Sequence, residues 1–184
     1  AHELGFLNLS SVSTDDCKGA ACAVEHLLAC GHRDIIVLGG DRAISDTSAK
    51  RYEGCVEAFR KNGLTFDDET MYYPGRYSYE FGYNGMRQAL EKTKGLTAAF
   101  AMADVIAIGA IRALFDEGLR VPEDVYLTGL DDDNTLPNFG YSMQYLPSVI
   151  DFSEAAAKLL IERVEAGNAL PEPERRIFTT HMKP

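Results

Sequence analysis

The stretch DCKGAACAVEHLLACGHRDIIVLGG, residues 16–40, carries the logic of the whole fold. Its first half places apolar residues at Cys17, Ala20, Ala21, Val24, Leu27 and Leu28, the i, i+3, i+4, i+7 stripe of an amphipathic helix. Asp15 or Asp16 can cap the start of that helix. Gly31 can end it, because glycine adopts the left-handed conformation without a Cβ clash. The second half, Ile35-Ile36-Val37-Leu38, is wholly apolar and stops at Gly39-Gly40. A strand with no polar side needs cover on both faces, as in a parallel sheet between two layers of helices.

The same alternation recurs outward from this stretch. Helices are expected over Ser48–Asn62, Ser78–Lys92, Val105–Glu117 and Ser153–Ala166, with Gly63, Gly118 and Gly167 as stops. Strands are expected over Thr70–Tyr73, Ala98–Met102, Val125–Thr128, Ser148–Ile150 and Arg176–Thr180. Strands separated by helices of this length imply right-handed βαβ crossovers, so the fold class is α/β with a mainly parallel sheet flanked by helices. Asp131–Pro147 and Gly167–Arg175 break the rhythm with Asn, Gly and Pro, and read as crossings between two lobes.

The 184 residues carry 18 Lys and Arg against 28 Asp and Glu, a formal net charge of −10. That balance excludes a DNA-reading surface on this chain, since affinity for phosphates needs clustered cations. No apolar run approaches the roughly 20 residues of a membrane span. The four cysteines, Cys17, Cys22, Cys30 and Cys55, contain no C-x-x-C pair and are expected to be small buried residues in a reducing compartment. His26 is expected mid-helix beside the apolar face and His32, directly after Gly31, at the helix end, both in structural roles. The P-loop, the G-x-G-x-x-G turn, the G-x-S-x-G elbow and the H-E-x-x-H zinc motif are all missing. Gly39-Gly40, at a strand end before a helix, could cradle an anion. No nucleophile–base pair is visible, so catalysis is not expected, and neither a cofactor nor a metal is implied.

Open α/β sheets bind ligands outside the carboxyl ends of their strands. Four loops leave such ends here. The first brings Thr47 and, one turn later, Arg51, whose fork of donors suits hydroxyls or a carboxylate. The second brings Arg76 and Tyr77, and the tyrosine ring could stack on a sugar or simply pack on the surface. The third brings Ala103 and Asp104, and the fourth Asp131-Asp132-Asp133. That acidic run fits a solvated loop, a cation site or hydrogen bonding to a hydroxyl-rich ligand. Arg51, Tyr77, Asp104 and Asp131 thus converge on one rim with no evident catalyst.

These residues fall in a recognisable order. Val12-Ser13-Thr14-Asp15 leads into the run from Ala23 through Gly31-His32-Arg33 to Ile35. Arg51-Tyr52-Glu53-Gly54 follows, then Phe100–Asp104 with Gly109, then Gly118–Val125, then Gly129-Leu130-Asp131-Asp132. In this order and spacing the chain resembles the ligand-binding part of LacI/GalR-type bacterial transcription regulators, whose fold is of the periplasmic-binding-protein-like type I. The resemblance implies two lobes with a small effector, a sugar or a sugar-like molecule, in the cleft between them. The chain would then hold mainly the C-terminal lobe: residues 1–14 would end the N-terminal lobe and 15–147 form the C-terminal one. Residues 148–170 would return to the N-terminal lobe, and 171–184 would make a final strand and tail. Ala1 reads as a cut inside a longer protein, with operator DNA contacted only through a preceding helix-turn-helix domain. The family pairs as homodimers and works in the cytoplasm, off the membrane, and effector binding changes operator affinity allosterically. Carried over by position, Arg51 and Asp131 would hydrogen-bond the effector, Thr47 would assist and Tyr77 would stack on it. Asp151 would be a polar contact or hinge residue. Ala103 departs from the Asn of many sugar-responsive members, which leaves room for a bulkier or less polar effector. The alternative with the same fold is an exported sugar-binding protein of a transporter or chemoreceptor. The His32-Arg33 run and Val121–Val125 favour the regulator.

Overall fold

The computed structural model describes residues 9–130, 142–145, 149–166, 172–179 and 181–182. In chain order the elements are β1 (Ser11–Thr14), α1 (Asp16–Ala29), β2 (Ile35–Gly40), α2 (Asp46–Lys61), the single turn α3 (Asp68–Met71), β3 (Tyr72–Gly75), α4 (Tyr79–Lys92), β4 (Ala98–Ala101), α5 (Asp104–Asp116), β5 (Tyr126–Leu130), β6 (Ser142–Tyr145), α6 (Val149–Glu165), β7 (Arg175–Phe178) and β8 (His181–Met182). Six strands form one sheet in the order β3-β2-β4-β5-β6-β8, parallel except where β8 pairs antiparallel with β6. β1 and β7 form a separate parallel pair, Ser11 opposite Arg175 and Thr14 opposite Phe178.

The apolar strands divide their side chains between two cores. Ile35, Val37 and Phe100 pack with Ala20, Val24, Leu27 and Phe59, the inner faces of α1 and α2. Their neighbours Ile36, Leu38, Ala99 and Ala101 pack with Met86, Ile106 and Leu114 of α4 and α5. Successive side chains of a strand point to opposite faces, so a wholly apolar strand serves both layers at once.

Short polar residues set the helix starts. Asp15 accepts from the Lys18 amide at 3.0 Å, Ser45 from Ser48 at 3.2 Å and Ser78 from Phe81 at 3.1 Å. Gly31 follows α1 at φ 94°, the left-handed stop expected there. The helices of each layer cross at bare backbone: a Cβ on Gly54 would lie 2.1 Å from the Cys17 carbonyl oxygen, and one on Gly82 2.1 Å from that of Ile106.

Three sequence expectations change. Thr70 and Met71 belong to α3, because the Asp67 carboxylate accepts from the Glu69 amide at 3.1 Å and from Thr70 Oγ1 at 2.8 Å and so winds one helical turn before β3. Ile150, expected in a strand, lies in α6, where seventeen residues of helical pattern outweigh the β-preference of Val149-Ile150. Ser142–Tyr145, expected to be irregular, is a strand held between β5 and β8.

Candidate functional site

The carboxyl ends of β2, β3 and β4 meet at one end of the sheet. β2 finishes in Gly39-Gly40, and the Met102 amide beyond β4 donates to the Leu38 carbonyl at 2.9 Å, which fixes the two strand ends side by side. From the β3 side Tyr72 donates its hydroxyl to the Gly40 carbonyl at 2.6 Å. Neither glycine leaves an open cradle. A Cβ on Gly40 would sit 2.1 Å from Ser48 Oγ and 2.5 Å from the Tyr77 ring, and one on Gly39 2.6 Å from the Met102 sulfur. The anion cradle expected at Gly39-Gly40 is therefore filled by protein.

Arg51 is the central polar group. It lies on the inner face of α2, and its side chain is only 8% exposed. Its Nε donates to Asp16 Oδ1 at 2.8 Å, and its Nη1 donates to the Met102 carbonyl. The guanidinium thus bridges the first turn of α1 and the residue that precedes Ala103. Ser48, one turn earlier on α2, is fully buried and lies 3.0 Å from the Tyr77 hydroxyl. Tyr77 keeps 39% of its surface exposed, so one part of the ring is anchored and the rest faces outward.

The expected rim is thereby assembled in part. Arg51, Tyr77 and Ala103 come to the same end of the sheet, with Thr47 half-buried beside Ser48. Ala103 is the N-cap of α5, makes no side-chain cap and is 4% exposed; Asp104 follows at 3%. Asp131 directly follows β5 but lies, with Asp132 and Asp133, outside the described residues. Asp151 is in the first turn of α6, and its side chain is likewise outside them. The sequence reading missed two participants, Asp16 and Ser48. Asp16 was legible only as a helix cap, and Ser48 sits between Thr47 and Arg51 without a signal of its own.

The remaining titratable groups lie elsewhere. His26 Nε2 is 3.1 Å from the Tyr126 hydroxyl, and the His32 ring packs on Tyr126 at 5.5 Å; His32 lies at the helix end as expected, while His26 belongs to the last turn of α1 and not to its middle. Burial, and then His26, lower the His32 pKa. The cysteines are not uniformly buried. Cys55 is, and burial drives its pKa far up; Cys17 and Cys22 are half-buried with raised values, again through burial first; Cys30 is exposed because it caps the end of α1. A groove of about 320 Å³ runs beside α1 and α2 past Cys17, Cys22, Glu25, Glu57 and Lys61, on their outer side. Among the described residues no three His, Cys, Asp or Glu side chains gather to hold a metal, and no helix is long and apolar enough to cross a membrane.

Comparison with known proteins agrees with the fold. Residues 24–183 match the family described as periplasmic binding protein-like domain. The HTH-type transcriptional regulator CelR of Thermobifida fusca is 29% identical over 175 residues, which are 95% of this chain and 50% of that protein. A solved transcriptional regulator CelR–cellobiose complex superposes with a TM-score of 0.88 at 28% identity, covering 96% of this chain and 53% of that one. A LacI family transcriptional regulator from Enterococcus faecium with bound ribose gives 0.85 at 25% identity, covering 95% and 63%. The chain therefore spans about half the length of the curated relative it matches. It belongs to the periplasmic binding protein-like family, and the proteins it is similar to are HTH-type and LacI family transcriptional regulators.

Proposed function

We propose that the cleft at the carboxyl ends of β2, β3, β4 and β5 binds a sugar or sugar-like effector, and that this chain is the sensing part of a transcription regulator. The observation that carries the reading is the cluster of Arg51, Ser48 and Tyr77, a fixed fork of donors beside a half-exposed ring at the ligand-binding end of a parallel sheet. Thr47, Ala103, Asp131 and Asp151 complete the proposed lining. Two solved relatives of the same fold hold cellobiose and ribose. The relatives are transcription regulators, which favours this role over an exported transport protein or an enzyme and supports work in the cytoplasm.

In this reading residues 15–147 form one lobe, while 1–14 and 148–170 belong to the other and 171–184 make the last strand and tail. The pairing of β1 with β7, apart from the six-stranded sheet, supports that division. Operator DNA is contacted by a separate DNA-binding segment of the whole protein, in keeping with a charge of −10 here, and the protein works as a homodimer. Effector binding shifts the lobes and with them operator affinity, a coupling of typically about 1–3 kcal/mol. Calorimetric titration of the full-length protein with cellobiose, ribose and related saccharides tests the reading. A saturable heat that changes operator affinity and is lost in Tyr77→Ala is expected. Absence of binding across the panel, or binding indifferent to Tyr77, would overturn it.

A further inference from the structure

An arginine at the floor of a ligand cleft usually announces an anion, because its paired N–H donors match carboxylate and phosphate. Here that preference is already satisfied inside the protein. Arg51 and Asp16 are 2.8 Å apart, their side chains 8% and 13% exposed, and a second arm of the fork is committed to the Met102 carbonyl. Asp104, another carboxyl group at the same end of the sheet, is 3% exposed.

We infer that Asp16 is a positioning and specificity-determining residue of the effector site: it fixes the orientation of Arg51 and cancels its charge, so that the cleft accepts neutral polyhydroxyl compounds and rejects their anionic counterparts. The inference rests on the effector-site reading above and adds to it the charge class of the ligand. An incoming carboxylate or phosphate that reached Arg51 would find Asp16 beside it, and like charges brought together in a site shielded from water repel strongly. A sugar hydroxyl meets no such penalty, since it can accept from Nη2, which has no hydrogen-bond partner among the described residues, while the ion pair stays intact.

Removing the charge of Asp16 while keeping its acceptor oxygen separates this role from a structural one. Asp16→Asn in the full-length protein still offers Oδ1 to Arg51 Nε but leaves the guanidinium uncompensated. The probe is inorganic sulfate, titrated against chloride at constant ionic strength and followed by thermal unfolding and calorimetry. We expect sulfate affinity in Asp16→Asn to rise at least about ten-fold over the native protein, the change that removal of one adjacent like charge brings. The gain should vanish in Asp16→Asn/Arg51→Met and be missing in Asp16→Glu, which keeps the charge. Native protein that binds sulfate through Arg51, or Asp16→Asn that gains nothing while melting cooperatively, would overturn the inference. A second arm needs no variant: native protein is titrated with glucose against glucuronate and cellobiose against cellobiouronate. Preference for the neutral member by about ten-fold or more supports the inference, and preference for the acid overturns it. A panel in which no saccharide binds sinks the effector reading by itself, and the sulfate arm then decides the role of Asp16.

Discussion

Replacing Arg51 by Met tests how far the polar floor of the cleft is also a structural joint. The substitution keeps a long side chain and removes the charge, so the loss reports the ion pair and not a void. Two groups are left behind: the Asp16 carboxylate, 13% exposed, and the Met102 carbonyl, which loses the Arg51 donor. Breaking a buried pair by deleting one partner costs about 3–5 kcal/mol, and the lower end applies because part of Asp16 still reaches water. A loss of about 3 kcal/mol is a large share of the roughly 5–15 kcal/mol that holds a domain folded. Urea unfolding followed by circular dichroism, with the slope unchanged, is the assay. Asp16→Asn/Arg51→Met should recover part of the loss, because it removes the stranded charge. Arg120→Met supplies the contrast: Arg120 and Asp124 are 2.8 Å apart but 68% and 32% exposed, and the unfolding midpoint should move far less than in Arg51→Met. If Arg51→Met shifts stability no more than Arg120→Met does, the pair is solvated and the account of the site is wrong. A lost effector response in Arg51→Met would accordingly mix lost contact with a loosened joint.

Three other outcomes follow from the same geometry. Gly40→Ala places a methyl group 2.1 Å from Ser48 Oγ and 2.5 Å from the Tyr77 ring, so Tyr77 must move. Effector affinity should fall by about ten-fold or more, worth about 1.4 kcal/mol, and calorimetry on the full-length protein would show it. Gly82→Ala and Gly109→Ala each drive a methyl group to 2.1 Å from a carbonyl oxygen of the facing helix, Ile106 and Tyr79 respectively. Each should cost about 1–3 kcal/mol in urea unfolding, and a neutral result would mean that α4 and α5 do not cross so closely. The side chain of Arg120, and then its backbone N–H, hold Asp124 down to about 2 from an ordinary 3.8. The unfolded chain binds that proton more tightly, so the stabilisation is complete above 3.8 and is lost as the pH falls through about 2. Carbon NMR titration of the Asp124 carboxyl checks this, and a midpoint near the ordinary value refutes it.

The alternation of helix and strand was legible because burial writes its period into the chain. Ile35–Leu38 is apolar on both sides since both sides are covered, and Gly31 marks the end of α1 since a left-handed residue is needed there. The sheet end that gathers Arg51, Tyr77 and Ala103 was legible in outline for the same reason: the carboxyl ends of parallel strands follow from their order alone. Periodicity does not say which residues of different elements meet. Asp16 and Arg51 are 35 positions apart, and they touch because α1 and α2 press together where Gly54 meets the Cys17 carbonyl. Asp16 looked like a capping residue because it neighbours the true cap, Asp15. All four cysteines looked alike in sequence, yet only Cys55 is buried, and the place of Cys30 after the last turn of α1 leaves it exposed. The strand Ser142–Tyr145 was hidden among loop-forming residues because its pairing with β5 and β8 is set at a distance.

The position of Asp16 matters for how an effector could be felt beyond the cleft. Asp16 opens α1, Asp15 caps it, and the Asp15 amide donates to the Phe178 carbonyl at 2.9 Å, at the end of the β1–β7 pair. A ligand held by Arg51 is therefore one ion pair and one residue away from the two-stranded sheet that the proposed division assigns to the other lobe. A ligand shifts an equilibrium between two lobe arrangements only to the extent that its contacts differ between them. A flexible arginine would absorb such a difference by changing rotamer. An arginine fixed by Asp16 and the Met102 carbonyl cannot do so without breaking a buried pair, so strain on it passes to the first turn of α1 and to β1. The ion pair that sets the charge of the cleft is on this argument also the stiff link through which occupancy reaches the crossover, and Asp16→Asn should weaken the coupling between effector and operator more than it weakens the binding of a neutral sugar.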